Sequence, residues 1–511
     1  MTSPSPLSRQ HYEKGGPVTV SARDHSLGIS PFLQAMLSQS ADGPVYWLGK
    51  RLRWFTGQGS YQEIVLEPET VQRWCRHHGF PALLSSWSRY LAGQRFLVEH
   101  TSVNPVHPMH AGSLRGSVTG GFLVALLRSS GAQAKAHYFV NDLGRQARML
   151  SWILRRAERH RLPPDLRFDH AAGVLYALVN MFHAQRVEDL TGLLARHPWL
   201  SEVIDLDADD RVHLQRWLAS DQPPDAVHVR RMLDAALSDL TKVGASIDSI
   251  DYESDLPHAP DLPAELTQYT SIATINGTLC LRRADGFIPL TRPDGSWLYF
   301  LRDVLNTRRQ LSEAPHVLHV VGSDQDLLQR ALRDLLQPAT VEHINFATVT
   351  HRGRPFSARQ NRLMTLNDLD KTTLWKVLLP MLSRQRHTPL DLPSIQGEQL
   401  LTTLTHAATT AEAGEGINSK TDLASIHAWP LIATLLRVPE ALRRALHERS
   451  PHPTAVLLHQ ASRLYLRAAR SDQVAPWLRE YFLHTQSFLT SLHGIPMREL
   501  INSENLQQEL A

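Results

Sequence analysis

Residues 96–140 read FLVEHTSVNPVHPMHAGSLRGSVTGGFLVALLRSSGAQAKAHYFV. FLVEHTSV is a short apolar run of the kind that forms a buried strand, and AKAHYFV is another. Between them, LRGSVTGGFLVALLRSSG places Leu114, Val118, Leu123 and Leu127 along a helix and ends at Gly131, a helix stop. Strand, helix and strand make a βαβ unit. The right-handed crossover rule makes the two strands parallel, which leaves the loop Asn104–Ser113 at the carboxyl end of the first strand, facing the helix N-terminus. Open α/β sheets bind ligands there, and phosphates favour the positive end of a helix dipole.

Outward from this unit the pattern changes twice. From Leu143 to about Pro263 the chain is mostly amphipathic helix, as in GRQARMLSWILRRAERH and PDAVHVRRMLDAALSDLTKVG. The α/β rhythm then returns with GTLCLRR, a hairpin-like GFIPLTRPDGSWLYFL, a strand HVLHVVG, a helix DLLQRALRDLL and a strand VEHINFATVT. After about Lys371 helical periodicity runs to the end, for example in PTAVLLHQASRLYLRAA. Upstream, residues 1–30 read as a mobile arm, and weak helix and strand signals alternate from Gln34 to Gly93, with Pro68 placed to open a helix. The expected fold is α/β: a Rossmann-like parallel sheet over 95–375, split by a helical insertion over about 145–263. An arm and small N-terminal domain precede it (1–94), and an all-α bundle follows (376–511).

Composition narrows the class without naming a partner. At roughly 100–200 residues per domain, 511 residues hold about three. The 42% hydrophobic and 20% charged fractions exclude a disordered chain, a collagen or a coiled-coil rod. With 53 Lys and Arg against 50 Asp and Glu, the net charge of +3 does not announce a nucleic-acid binder. Two cysteines, Cys75 and Cys280, make neither a disulfide framework nor a four-cysteine zinc site. The first residues lack the apolar stretch of a secretory signal and no run of 18 apolar residues follows, so a cytoplasmic protein with no membrane partner is expected. The 27 histidines do not fall at zinc-ligand spacing, and no protein-bound metal is expected. Arg145, Arg148, Arg155, Arg156 and Arg159 read as a solvated helix surface.

The loop Asn104–Ser113 carries the chemistry. Gly112 lets a phosphate approach the backbone, and His110 and Ser113 offer donors to charge building on a reacting phosphate. VEHTSVNPVHPMHAGSLRG followed by HYFVNDLGRQ resembles the signature region of arginyl-tRNA synthetases, class I enzymes with a His-x-Gly-His motif after a strand ending in Asn-Pro. LTKVGASIDSIDYESDL, RPDGSWLYFLRDV and HVVGSDQDL look like later segments of that family. FSARQNRLMTLNDL resembles its second signature, and SLHGIPMREL looks like the end of its anticodon-binding bundle. The match covers about residues 95–500.

The resemblance implies an arginine–tRNA ligase that forms arginyl-adenylate from arginine and ATP and passes the arginyl group to tRNA. Mg²⁺ would be carried by the nucleotide, and the protein would be a monomer. Carried over by position, Glu99, Tyr299 and Asp303 would hold the guanidinium, while Asn104 and Gln325 would address the α-amino and carboxyl end. These residue types fit a planar cation that needs acidic partners and a wall. Tyr299 and Asp303, four residues apart, would share one face of a helix. His110, Gly112, Ser113, Ser357 and Arg359 would serve ATP and catalysis.

The phosphate-handling positions depart from the family pattern. Ser113 stands where the second histidine helps stabilise pyrophosphate, and a hydroxyl carries no positive charge. Phe356, Gln360 and Asn361 replace the expected Met, frequent Lys and Gly, and Leu328 replaces a frequent His. The arginine positions are intact while the phosphate positions are eroded. Besides a tRNA ligase, two other readings fit that pattern: a paralogue that activates arginine for another acceptor, and a sensor that binds arginine or tRNA without catalysis.

Overall fold

The computed structural model describes residues 18–20, 52–54, 62–64, 68–157, 162–220, 222–256, 261–266, 271–283, 286–295, 297–392, 394–417 and 428–502. Most of the arm over 1–30 and of the expected N-terminal domain lies outside these residues, but Val18–Val20, within the expected arm, is a strand paired antiparallel with Gln62–Ile64, which also pairs with Leu52–Trp54.

The centre is a five-stranded sheet. Its strands are β1 (Arg95–His100), β2 (Gln133–Val140), β3 (Ser249–Tyr252), β4 (His316–Gly322) and β5 (Thr340–Phe346), in the spatial order β5-β4-β1-β2-β3. Every neighbouring pair is parallel. The strand order reverses between β1 and β4, so the crevice at their carboxyl ends is the binding place such sheets provide. Helix α1 (Ala111–Ser129) joins β1 to β2 and buries Leu114, Val118, Leu123 and Leu127, the positions that the sequence period picks out. Full burial of each is worth about 1.5–3 kcal/mol. Helix and sheet touch closely at Gly120, where a methyl group would sit 2.3 Å from the His100 side chain.

The helical insertion lies between β2 and β3. Its principal helices are α2 (Arg145–Ala157), α3 (Phe168–His183), α4 (Val187–Arg196), α5 (Ala208–Ala219) and α6 (Ala226–Lys242). They enclose an apolar core of their own, including Leu150, Ile153, Leu175, Val179 and Leu214, and Val106 of the loop after β1 is buried in it. The insertion is thereby fixed to the functional loop. Arg167 ties its base together with ion pairs to Asp169 (2.5 Å) and Asp239 (2.7 Å), both buried, and a hydrogen bond to Asn367.

Two segments take a different place from the one their pattern suggests. GTLCLRR does not enter the central sheet. Its strand, Thr278–Arg283, pairs antiparallel with Ile272–Ile275 and Gly286–Pro289 in a separate three-stranded sheet, with Leu279, Leu281 and Ile288 facing another core. Within the hairpin-like stretch only Thr291 and Trp297 pair, and helix α7 (Tyr299–Glu313) begins two residues later. The helix that opens at Pro68 runs to Leu83 with a break at Gly79. Phe80 packs edge-on against Tyr481, so this part of the upstream region shares a core with the C-terminal helices. Those helices, from Lys371–Ser383 to Met497–Ile501, complete an α/β unit followed by a helical region.

Candidate active site

A cavity of about 380 Å³ opens at the reversal point of the sheet. Glu99, Asn104, Tyr299, Asp303 and Gln325 all line it. Glu99 ends β1 and Asn104 follows it, Tyr299 and Asp303 occupy the first turns of α7, and Gln325 lies just after β4. Three stretches of chain thus converge, two of them because parallel strands deliver their carboxyl ends to one edge. The backbone after β1 is strained: Thr101 has φ 72°, a left-handed conformation that a β-branched residue rarely adopts. The turn sends the Ser102 hydroxyl back to accept the Phe139 N–H at 3.1 Å and carries the chain on to Asn104.

The cavity is built for a cation. Glu99 Oε2 accepts from Asn306 Nδ2 (3.1 Å) and from Gln310 Nε2 (2.5 Å), and Gln310 Oε1 meets His319 Nε2 at 2.8 Å. These amides orient the carboxylate without neutralising it. Burial, and then the charges of Glu99 and Glu253, hold the Asp303 carboxyl well above the usual carboxylate range, against a hydrogen bond from Tyr299. Asp303 itself, then burial, raises the Tyr299 hydroxyl in turn, while a hydrogen bond with Asn141 opposes the shift. Glu99 and Asp303 line the space, with Glu253 close enough to act on Asp303, and a guanidinium between the two lining carboxyl groups would relieve their crowding.

Glu253, Asn306 and Asn141 join the site without having been picked out in the sequence. Glu253 is buried, pairs with Arg302 at 2.9 Å and is raised by its own burial. Asn306 lines the cavity, and its Oδ1 is buried without a hydrogen-bond partner among the described residues. Because its amide nitrogen faces a carboxylate, the oxygen must be the atom turned the other way. A signal existed: Tyr299, Asp303, Asn306 and Gln310 follow helical spacing along one face of α7.

The phosphate side is arranged differently. His110 is the N-cap of α1, where its Nδ1 accepts from Gly112 N–H at 3.1 Å. That bond leaves Nε2 as the donor of a neutral ring, and burial, then His107, pull its pKa down to about 3. Ser113 Oγ donates to the His110 carbonyl at 2.8 Å and accepts from the His110 N–H at 3.5 Å, which closes a capping box. The hydroxyl that stands for a catalytic histidine is therefore engaged by its own helix. A methyl group on Gly112 would strike the His110 and Phe356 rings at 2.9–3.0 Å, so only glycine lets the second signature loop close over this turn.

In that loop, Ser357 and Arg362 exchange two backbone hydrogen bonds, and Asn361 has φ 49°. Asparagine tolerates the left-handed conformation, so it can replace the family's glycine there. Asn361 Nδ2 lies 2.8 Å from His197 Nε2, and the Arg359 side chain hydrogen-bonds Tyr176 of α3. The loop is docked on the insertion. The structure thus brings the five arginine positions together in one cavity, gathers His110, Gly112 and Ser113 at the α1 N-terminus beside Phe356, and turns Arg359 toward α3.

Comparison with known proteins agrees with this arrangement. Residues 83–191 match the family model of the class I tRNA synthetase catalytic domain, the arginine type. A protein named arginine–tRNA ligase from Sulfolobus acidocaldarius is 26% identical over 342 residues, covering 54% of this chain and 55% of its own. One of the same name from Aeropyrum pernix is 25% identical over 439 residues, 71% of this chain and 66% of its own. The chain is related to the arginyl-tRNA synthetases. It spans between about half and two thirds of the length of these relatives. The fold of Thermus thermophilus arginyl-tRNA synthetase superposes with a TM-score of 0.64 at 20% identity, over 94% of this chain and 93% of that one. That of the Plasmodium falciparum enzyme gives 0.56 at 15% identity, over 89% and 85%.

Proposed function

We propose that this chain is an arginine–tRNA ligase. The observation that carries the reading is the cavity in which Glu99, Tyr299, Asp303, Asn104 and Gln325 meet, acidic at the α7 end and amide-lined toward the β4 end. Arginine fits it with its guanidinium between Glu99 and Asp303 and its α-amino and carboxyl groups near Asn104 and Gln325. Its carboxylate oxygen attacks the α-phosphorus of ATP, the bond to the bridging oxygen breaks, and pyrophosphate leaves. A terminal ribose hydroxyl of tRNA then attacks the arginyl carbonyl and AMP departs with the bonding pair.

The chain's contribution is positioning and electrostatics. His110 Nε2–H is a donor for the phosphates and the α1 N-terminus adds the positive end of the helix dipole, with Ser357 and Arg359 on the second signature loop. Mg²⁺, carried by ATP, would offset phosphate charge. Since His110 is neutral and Ser113 is held by its capping bonds, activation is expected to be slow, because losing one electrostatic donor typically costs about 100- to 1000-fold in rate. The protein would act as a cytoplasmic monomer. Among the described residues no helix is long and apolar enough to cross a membrane.

The test is arginine-dependent exchange of pyrophosphate into ATP, with and without tRNA, followed by charging of tRNA with labelled arginine. Charging supports the ligase. Exchange with no charging of any tRNA would point to another acceptor, and retained arginine binding without exchange would leave a sensor.

A further inference from the structure

Strands buried on both faces of a parallel sheet usually carry unbroken apolar side chains. The central sheet departs from that along one line. Glu99 of β1 lies in register with His319 of β4 on one side and His137 of β2 on the other, and His319 pairs in turn with His343 of β5. Residues directly opposite one another share a face, so a polar row crosses four strands on the side from which Asn306 and Gln310 of α7 reach Glu99. Glu99, His319 and His137 are buried, and a buried polar group costs stability unless it is hydrogen-bonded. Toward the ends of the row the partners are local: His137 Nδ1 meets Ser249 Oγ of β3 at 3.0 Å, and His343 Nδ1 meets Asp326 at 3.3 Å.

His319 differs, because its hydrogen bonds lead to the guanidinium seat. Glu99 as a carboxylate only accepts, so Gln310 must give it Nε2 and turn Oε1 the other way, toward His319. An amide oxygen only accepts as well, so the proton of that 2.8 Å contact sits on His319 Nε2. Nδ1 lies 2.9 Å from the Gln329 side chain of α8 (Asp326–Leu335), which steadies the ring from its far edge. Donation thus runs one way, from His319 through Gln310 to Glu99 Oε2. Asn306 donates to the same oxygen, and among the described residues no hydrogen bond uses Glu99 Oε1, which is left for a ligand of the cavity. Without the His319 donor, the Gln310 amide is free to turn over and set its oxygen against the carboxylate.

We infer that His319 is a positioning residue for arginine: its Nε2–H fixes the direction of the Gln310 amide, and the fixed amide holds Glu99 with one oxygen open to the guanidinium. The inference deepens the ligase reading and rests on it for the identity of the ligand. His319 acts through Gln310 and Glu99 rather than on the reacting atoms, so its effect falls on amino-acid binding and not on the chemical step.

The experiment is a double-mutant cycle on the full chain, with His319→Leu, Gln310→Leu and the two combined. Arginine affinity is read by calorimetry, and kcat and KM by arginine-dependent exchange of pyrophosphate into ATP with tRNA present. Each single substitution is expected to weaken arginine binding by about tenfold, with kcat and KM for ATP unchanged. The combined variant should bind no more weakly than either alone, because the second change removes a link already broken. A second pair of variants separates this role from packing. His319→Gln puts an amide N–H in the place of Nε2, whereas His319→Asn puts one in the place of Nδ1, so arginine should bind the Gln variant more tightly. Losses that multiply in the combined variant would overturn the inference, as would unchanged affinity in His319→Leu. Should the leucine variants fail to fold, the polar pair decides: equal affinities for Gln and Asn would overturn it. Arginine binding that follows the predicted cycle in a protein with no exchange would sink the ligase reading and leave the role of His319 standing.

Discussion

Asp303 is where the chemistry of recognition can be read most directly. Burial and the neighbouring Glu99 and Glu253 favour its protonated form in the free protein, and a guanidinium favours the carboxylate. Arginine binding should therefore release a proton. The sign follows: affinity rises with pH while Asp303 is still neutral in the free protein, by up to about tenfold per pH unit. Measuring KM for arginine between pH 6 and pH 9 checks this, and a flat profile would contradict it. Asn306→Ala should raise KM for arginine by about tenfold, because an acceptor for a charged donor is lost. If its Oδ1 meets the guanidinium, the penalty should shrink for an arginine analogue methylated at the matching nitrogen, which steady-state kinetics with both substrates would show. Ser113→Ala removes a capping bond, so it should destabilise α1 by about 0.5–2 kcal/mol in denaturant titration, and Ser113→His, which restores the missing donor, should raise the exchange rate; an unchanged rate would show that the site is rebuilt around Ser113. At this scale the sequence was most legible where partners share one helix face, as Tyr299 and Asp303 do. It was silent where they come from distant segments, as Glu253 does through Arg302, or where a side chain turns to its own helix, as Ser113 does.

Among the elements, α1 holds the site to the rest of the molecule. Its fully buried Arg115 donates to the carbonyl oxygens of Ala347 (3.1 Å), Gln385 (2.8 Å) and Thr388 (2.6 Å). Burial, then Arg384, pulls its pKa to about 10, so it remains a cation at neutral pH. One side chain thereby fixes α1 to the segments that flank the second signature loop. Arg115→Ala would leave these carbonyls without that donor at about 1–3 kcal/mol each, and amide exchange over residues 345–390 should accelerate. Unchanged protection there would show that the clamp is dispensable. The βαβ unit was readable because period and stop residues agreed over Phe96–Val140. GTLCLRR was not placed, since a short apolar strand carries no mark of which sheet it joins.

Over the whole molecule, a net charge of +3 conceals two local excesses of opposite sign on either side of the Asn104–Gln146 pair. Glu99 and Asp303 line one space, and Arg145, Arg186 and Arg359 line the other. Composition averages over such neighbours, which is why it could not name a partner. The insertion builds the second space by holding the signature loop against its own core. The most direct measurement is calorimetric titration of the full chain with arginine and with citrulline, its near-isosteric uncharged analogue, in buffers of different ionisation enthalpy. The account predicts that arginine binds with release of a proton and that citrulline binds at least about 100-fold more weakly. Equal affinity for the two, with no proton released, would contradict it.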